Sequence, residues 1–353
     1  MTMEQDAASG LRGTRRRGMS VSGAGRVTRS VMHAQSGLPL VFTAQSPGQV
    51  LGEWIQANRE ELAALLLEHG ALLFRGFAVG TSAAFEQCIV AGSGASLEYR
   101  FRASPRTTVA GNIYTSTDYP SDQWIFPHNE HSYSPVYPLH LYFHCALPSS
   151  TGGATPFGST RRITAAIPPH IVEAFERRQI LYVRNYGDGF GLPWPTVFQT
   201  DDRAEVERYC AGVGIETVWK SGDRLMTRQI GNAMVPHPQT GERLWFNHAT
   251  FFNVSTLPPS IGAELMRTFP AHDMPTNTFH GDGGDIDPDH LTCLRDIYRR
   301  EMTRFDWQAG DVVWLDNMLV VHGREPFQGQ RRVLTGMAQA QRGMAIETTT
   351  EGT

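Results

Sequence analysis

The stretch Leu139-His140-Leu141-Tyr142-Phe143-His144-Cys145-Ala146-Leu147 decides the fold class. Leu139, Leu141, Phe143, Cys145 and Leu147 alternate with His140, Tyr142, His144 and Ala146, the period of two expected of a strand with one apolar face. The flanking chain has a similar character. Ala71-Leu72-Leu73-Phe74 reads as a short buried strand, and three more strands are expected near 312–315, 318–321 and 333–338. With 35 glycines and 21 prolines the chain is rich in turns. Helices are expected around this β-structure. One runs from Ser46 as N-cap and Pro47 at the first helical position, through Leu51, Trp54, Ile55, Leu62 and Leu66, to a stop at Gly70. Others fall near 81–91, 168–179, 202–212, 258–268 and 288–302, with a hairpin around residues 238–241. The fold class is therefore mainly β with surrounding helices.

Composition excludes several functions. The chain has 353 residues, 41% hydrophobic and 19% charged, with a net charge of −4. No apolar run approaches the roughly 18 residues of a membrane span. The charge balance does not draw the body to nucleic acid. Cys88, Cys145, Cys210 and Cys293 are scattered, which argues against a disulfide framework and fits a cytoplasmic protein. Residues 1–35 are expected to be a disordered basic tail, because the first thirty hold six arginines against two acids and few large apolar side chains. Residues 36–345 form one domain, with a lid insertion at about 184–235, and 346–353 form a second disordered tail. Pocket specificity is expected from loops 97–125, 184–235 and 245–256.

Thirteen histidines raise the question of metal binding. In Phe126-Pro127-His128-Asn129-Glu130, His128 and Glu130 face the same way on extended backbone, with Cα atoms roughly 6.5–7 Å apart. An imidazole and a carboxylate with positions left open are part of the donor set of non-haem iron(II) oxygenases. His322 ends a buried strand, where a polar ring needs a partner. Arg332 enters another buried strand, where a guanidinium suits a carboxylate. His140 and His144 are roughly 13 Å apart along a strand, too far to share a cation. His131 is expected to point away from His128, and His237 to serve a turn.

Together these blocks resemble the iron(II)/2-oxoglutarate-dependent oxygenases of the TauD/TfdA superfamily, in the clavaminate synthase-like and SyrP-like branch. The resemblance covers roughly residues 38–343. It is carried by Leu72 to Phe77, Tyr114 to Pro120, His128-Asn129-Glu130, Gly152 to Pro156, Trp245-Phe246-Asn247, Gly310 to Arg324 and Arg331 to Leu334, in family order. It implies a double-stranded β-helix, or jelly roll. It also implies iron(II), 2-oxoglutarate and dioxygen as cofactors, with His128, Glu130 and His322 as the metal triad. Arg332 and Thr155 would hold the keto acid's distal carboxylate, and Arg331 would replace Arg332 if the strand register differs by one. Glu130 is not the small residue that leaves a halide position, so a halogenase is disfavoured.

The expected reaction is hydroxylation of an unactivated C–H bond, such as the β-carbon of a free or peptidyl-carrier-bound amino acid in antibiotic or non-ribosomal peptide biosynthesis. Desaturation, epoxidation or cyclisation share the same ligands, and a non-catalytic jelly-roll binding protein is the rival from another class. Candidate substrate contacts are Arg106, Asn112, Ser116, Arg228, Asn247 and His248. The partner is a small molecule or carrier-bound substrate, with neither nucleic acid nor membrane; a homo-oligomer stays open.

Overall fold

The computed structural model describes residues 27–97, 107–116, 119–187 and 192–343. The architecture is mixed α/β with several sheets. The largest has eight strands in the spatial order Val27–Val31, Leu40–Ala44, Ala71–Arg75, Val312–Asp316, Val136–Leu147, Arg332–Arg342, Ile113–Thr115 and Thr108–Ala110. Its pairings are antiparallel apart from Leu40–Ala44 with Ala71–Arg75. A second sheet orders Met302–Thr303, Phe157–Ser159, Val320–Arg324 and Ile125–His128. A third orders Ile215–Lys220, Arg224–Gly231, Ile180–Tyr186 and Thr276–His280.

The central strand alternates as its sequence requires, but both of its faces are buried. Leu139, Leu141, Phe143 and Cys145 pack with Phe157, Val320, Val333 and Met337 in one core. His140, Tyr142 and His144, expected on a polar face, lie under the helix Ser82–Ser93. The Ser93 hydroxyl bonds both His140 Nδ1 (2.7 Å) and the Tyr142 hydroxyl (2.6 Å), and Trp314 stacks on Tyr142. The polar atoms of His140 and Tyr142 are thus matched to Ser93, which makes their burial affordable.

Three expectations are corrected. The helix expected from Ser46-Pro47 begins at Leu51, with Val50 extended and no side-chain cap, and it breaks at Asn58. It resumes as Arg59–His69 and ends at Gly70, whose φ of 77° is left-handed. A Cβ there would come within 2.6 Å of Val320, so both conformation and space favour glycine. Residues 27–35, assigned to the tail, include the strand Val27–Val31, which pairs along Leu40–Ala44. The stretch 184–235 is no simple lid: it contributes the strands Ile215–Lys220 and Arg224–Gly231 and the end of Ile180–Tyr186 to the third sheet, with the helices Trp194–Phe198 and Arg203–Gly212. Residues 188–191, inside the expected lid loop, lie outside the described residues.

Candidate metal centre and its surroundings

His128 closes Ile125–His128, and His322 lies in Val320–Arg324. These strands pair antiparallel with His322 directly opposite His128. The two rings therefore face each other, with centroids 4.7 Å apart. Glu130 enters from the turn after His128, and its Oε2 stands 3.9 Å from Nε2 of each histidine. One donor atom from each residue lies within 4.8 Å of the others. His128 Nδ1 is 2.9 Å from the Phe126 carbonyl, so this nitrogen carries the hydrogen and Nε2 turns its lone pair to the centre. Two imidazoles and a carboxylate converging at this spacing fit iron(II) held on one face.

The turn Asp316-Asn317 fixes Glu130. Asn317 Oδ1 accepts from the Glu130 amide at 2.7 Å, and Asn317 Nδ2 donates to the Glu130 and Pro138 carbonyls at 2.8 Å each. Asn129 Nδ2 donates to the Asn317 carbonyl at 2.6 Å. Asp316 Oδ1 caps the amides of Met318 and Leu319. Asp316 Oδ2 accepts from His237 Nε2 at 3.0 Å, and His237 Nδ1 in turn accepts from the amides of Gln239 and Thr240. His237 serves its hairpin turn, as expected, but its fully buried bond to Asp316 was not foreseen. His131, expected to point away, adopts a φ of 57° and places Nε2 3.5 Å from Glu130 Oε1.

Beside the triad, Phe251 packs on His128 with ring centroids 4.4 Å apart. His248 stands 5.8 Å from His128, with Nδ1 at 2.6 Å from the Ser132 hydroxyl and its amide donating to the Tyr182 hydroxyl. Burial, then the neighbouring His128, holds the His248 pKa well below its ordinary value.

The two arginines of the pair differ in burial and contacts. Arg332 is exposed and Arg331 is half-buried. A bulge between Arg332 and Val333 shifts the pairing with Val136–Leu147. Arg331 Nε donates to the Gly153 carbonyl at 3.2 Å, and Nη1 reaches the Ser116 hydroxyl at 3.5 Å. Burial lowers its pKa to about 10, which leaves it cationic at neutral pH. Thr155 is buried, its hydroxyl accepting from Trp307 Nε1 at 2.9 Å.

The other sequence candidates divide. Asn247 donates to the Ala233 carbonyl and accepts from the Ala249 amide, so its side chain braces backbone. Asn112 donates to Ser96. Arg228 lies 3.5 Å from Glu216 on the neighbouring strand, and it sits opposite Val183, whose side chain packs in the small cluster with Leu181 and Phe279. Arg106 lies outside the described residues. Sequence reasoning missed Arg184, a buried guanidinium enclosed by aromatic rings, because one arginine in an expected loop carries no periodic signal.

The fold and this centre define an oxygenase class, and the comparisons identify the family. The family model described as "Taurine catabolism dioxygenase TauD, TfdA family" matches residues 34–338, and the chain belongs to that family. It is an iron(II)/2-oxoglutarate-dependent dioxygenase. The chain is 33% identical over 308 residues to the dapdiamide synthesis protein DdaC of Enterobacter agglomerans, covering 85% of this chain and 93% of that protein. It is 31% identical over 296 residues to a clavaminate synthase-like protein of Arabidopsis thaliana, covering 81% and 86%. Among solved structures, PvcB, described as an Fe, alpha-ketoglutarate dependent oxygenase from an isonitrile synthetic pathway, superposes with a TM-score of 0.54 at 18% identity. That match covers 94% of this chain and 98% of PvcB. No described helix is long and apolar enough to cross a membrane.

Proposed function

We propose that this dioxygenase hydroxylates an unactivated C–H bond, at the β-carbon, of an amino acid or amino-acid-derived intermediate in natural-product biosynthesis. The observation that carries the reading is the convergence of His128, Glu130 and His322, the described His/Cys/Asp/Glu group with metal-binding spacing. The similarity to a dapdiamide synthesis protein supports the biosynthetic context. Bound iron(II), with 2-oxoglutarate and dioxygen, supplies a one-oxygen oxidation coupled to decarboxylation of the keto acid to succinate.

The chain's own residues bind and orient. His128, Glu130 and His322 hold the metal on one side. Arg331, rather than Arg332, takes the distal carboxylate of 2-oxoglutarate, with Thr155 beside it. The Gly153 carbonyl and Ser116 keep the guanidinium aimed. Phe251 and Phe143 wall the imidazoles with apolar surface and limit water. We read the two sheets enclosing the triad as a jelly roll within one domain. The four cysteines are free, three of them buried, which suits a cytoplasmic setting.

Anaerobic addition of iron(II) and 2-oxoglutarate should give a metal-to-ligand charge-transfer band, and succinate should form when air is admitted. The product of the true substrate should gain the mass of one oxygen atom. A loss of two hydrogens would assign desaturation or ring closure instead. In the same titration Arg331→Met should weaken 2-oxoglutarate binding by about 100-fold, the cost of removing one partner of a buried charge pair. Arg332→Met should leave it unchanged. The reverse ranking would restore Arg332 as the clamp.

A further inference from the structure

Arg332–Arg342 has two packed faces. Leu334 and Ala338 pack with Ile113 and with Ile89 of the helix Ser82–Ser93. Val333 and Met337 pack on the other side with Phe143 and with Phe157 and Val320, which belong to the sheet that bears His128 and His322. Alternation places Thr335 with Val333 and Met337. Thr335 is 1% exposed, and its Oγ1 is buried without a hydrogen-bond partner among the described residues. It stands directly opposite Phe143, whose ring lies 5.2 Å from that of His322. Residues facing each other across two strands touch through their side chains. The hydroxyl is therefore one strand away from a ring that packs on an iron ligand.

We propose that the Thr335 hydroxyl donates a hydrogen bond to the carboxylate at the metal end of 2-oxoglutarate, the end opposite the one Arg331 holds. The inference rests on the oxygenase reading above and adds a binding residue to the same site. An unpaired hydroxyl in an apolar core costs stability that a valine of similar shape would not cost. A ligand oxygen arriving beside it removes that penalty, and a bond to a carboxylate screened from water is stronger than one to a neutral group. Position along the chain selects the end. Arg331 reaches Gly153 and Ser116, whereas Thr335 lies four residues further on, level with Phe143 and so with His322. Four residues of extended chain span roughly 13 Å. A diacid lying between the Arg331 guanidinium and the metal therefore passes over Val333 and ends near Thr335. The arginine fixes one carboxylate, and the hydroxyl fixes the plane of the other.

The test uses the full-length protein. Three readouts are taken: urea unfolding of the apo-protein, isothermal titration of 2-oxoglutarate into the Mn(II)-loaded form, and anaerobic titration of the iron(II) charge-transfer band. Thr335→Val should raise the apo urea midpoint, since it removes the unpaired hydroxyl. It should weaken 2-oxoglutarate binding by about 10- to 100-fold, the range for a hydrogen bond to a charged group. Mn(II) affinity without the keto acid should stay at the wild-type value. A contact at the metal end acts on the chromophore itself, so the band maximum at saturation should move in Thr335→Val. Thr335→Ser, which keeps the hydroxyl, should restore both the affinity and the band.

Unchanged 2-oxoglutarate affinity in Thr335→Val, weaker binding with no movement of the band, or equal losses in Thr335→Val and Thr335→Ser would each overturn the assignment. So would a lower apo midpoint in Thr335→Val, which would mean that the hydroxyl is already bonded within the protein. Absence of the band in wild type would instead remove the oxygenase reading, and this one with it.

Discussion

His237 and Asp316 meet at 3.0 Å with both side chains fully buried, whereas Glu130 stands 3.9 Å from His128 and from His322. Both clusters pair imidazole with carboxylate inside the protein, and the Asp316-Asn317 turn touches both. In the first, Asp316 gives one oxygen to His237 and the other to two amides, so the group is closed by its own hydrogen bonds. In the second, the donor atoms approach a common point and stop beyond hydrogen-bond length of one another. Residue type does not separate a structural histidine from a metal ligand. What separates them is whether the polar atoms close on each other or leave room for a cation between them.

That contrast breaks if the two clusters respond alike to substitution. Glu130→Gln or His322→Ala should lower metal affinity by well over the roughly 100-fold that loss of a supporting residue causes, while the urea midpoint of the apo-protein stays close to wild type. Isothermal titration with Mn(II) measures the first effect. His237→Ala should do the converse, costing about 3–5 kcal/mol of stability by stranding a buried carboxylate. The coupling between the clusters is sharpened by Asn317→Ala. This removes the amide that grips Glu130 and should weaken metal binding about 10-fold, with rescue by Asn317→Asp limited to the Glu130 amide contact.

The smallest expected effect is on acid stability, at His140, whose backbone pairs opposite Asp316. Burial lowers the His140 pKa to about 4 from an ordinary 6.5. The unfolded chain takes up this proton near pH 6.5, and the folded chain refuses it until about pH 4. Stability from this group is therefore complete above pH 6.5 and falls as pH drops toward 4, by at most about 1.4 kcal/mol per pH unit. His140→Gln should flatten urea midpoints across that window.

Legibility in the sequence followed distance along the chain. His128 and Glu130 are two residues apart, so an extended backbone alone predicts their convergence. The strand around Leu139 was legible from its period, but the burial of His140 and His144 was not, because the covering helix Ser82–Ser93 lies some fifty residues upstream. The difference in burial between Arg331 and Arg332 lies beside a bulge, which a period of two cannot register. Asp316-Asn317 falls between the strands expected near 312–315 and 318–321. Its partners His237 and Glu130 come from elsewhere in the chain, 79 and 187 residues away. The third sheet was missed because Ile180-Leu181-Tyr182-Val183 is continuously apolar and gives no alternation.

The pairing of His322 with His128 also sets a schedule. Asn129 and Val320, beside the two histidines, are 191 residues apart. At the roughly 5–20 residues per second of synthesis, His128 and Glu130 leave the ribosome some tens of seconds before the strand that completes their site. The nascent protein therefore cannot assemble an iron centre capable of oxidation while most of its chain is still unfolded. Loading is confined to molecules whose two sheets have already closed.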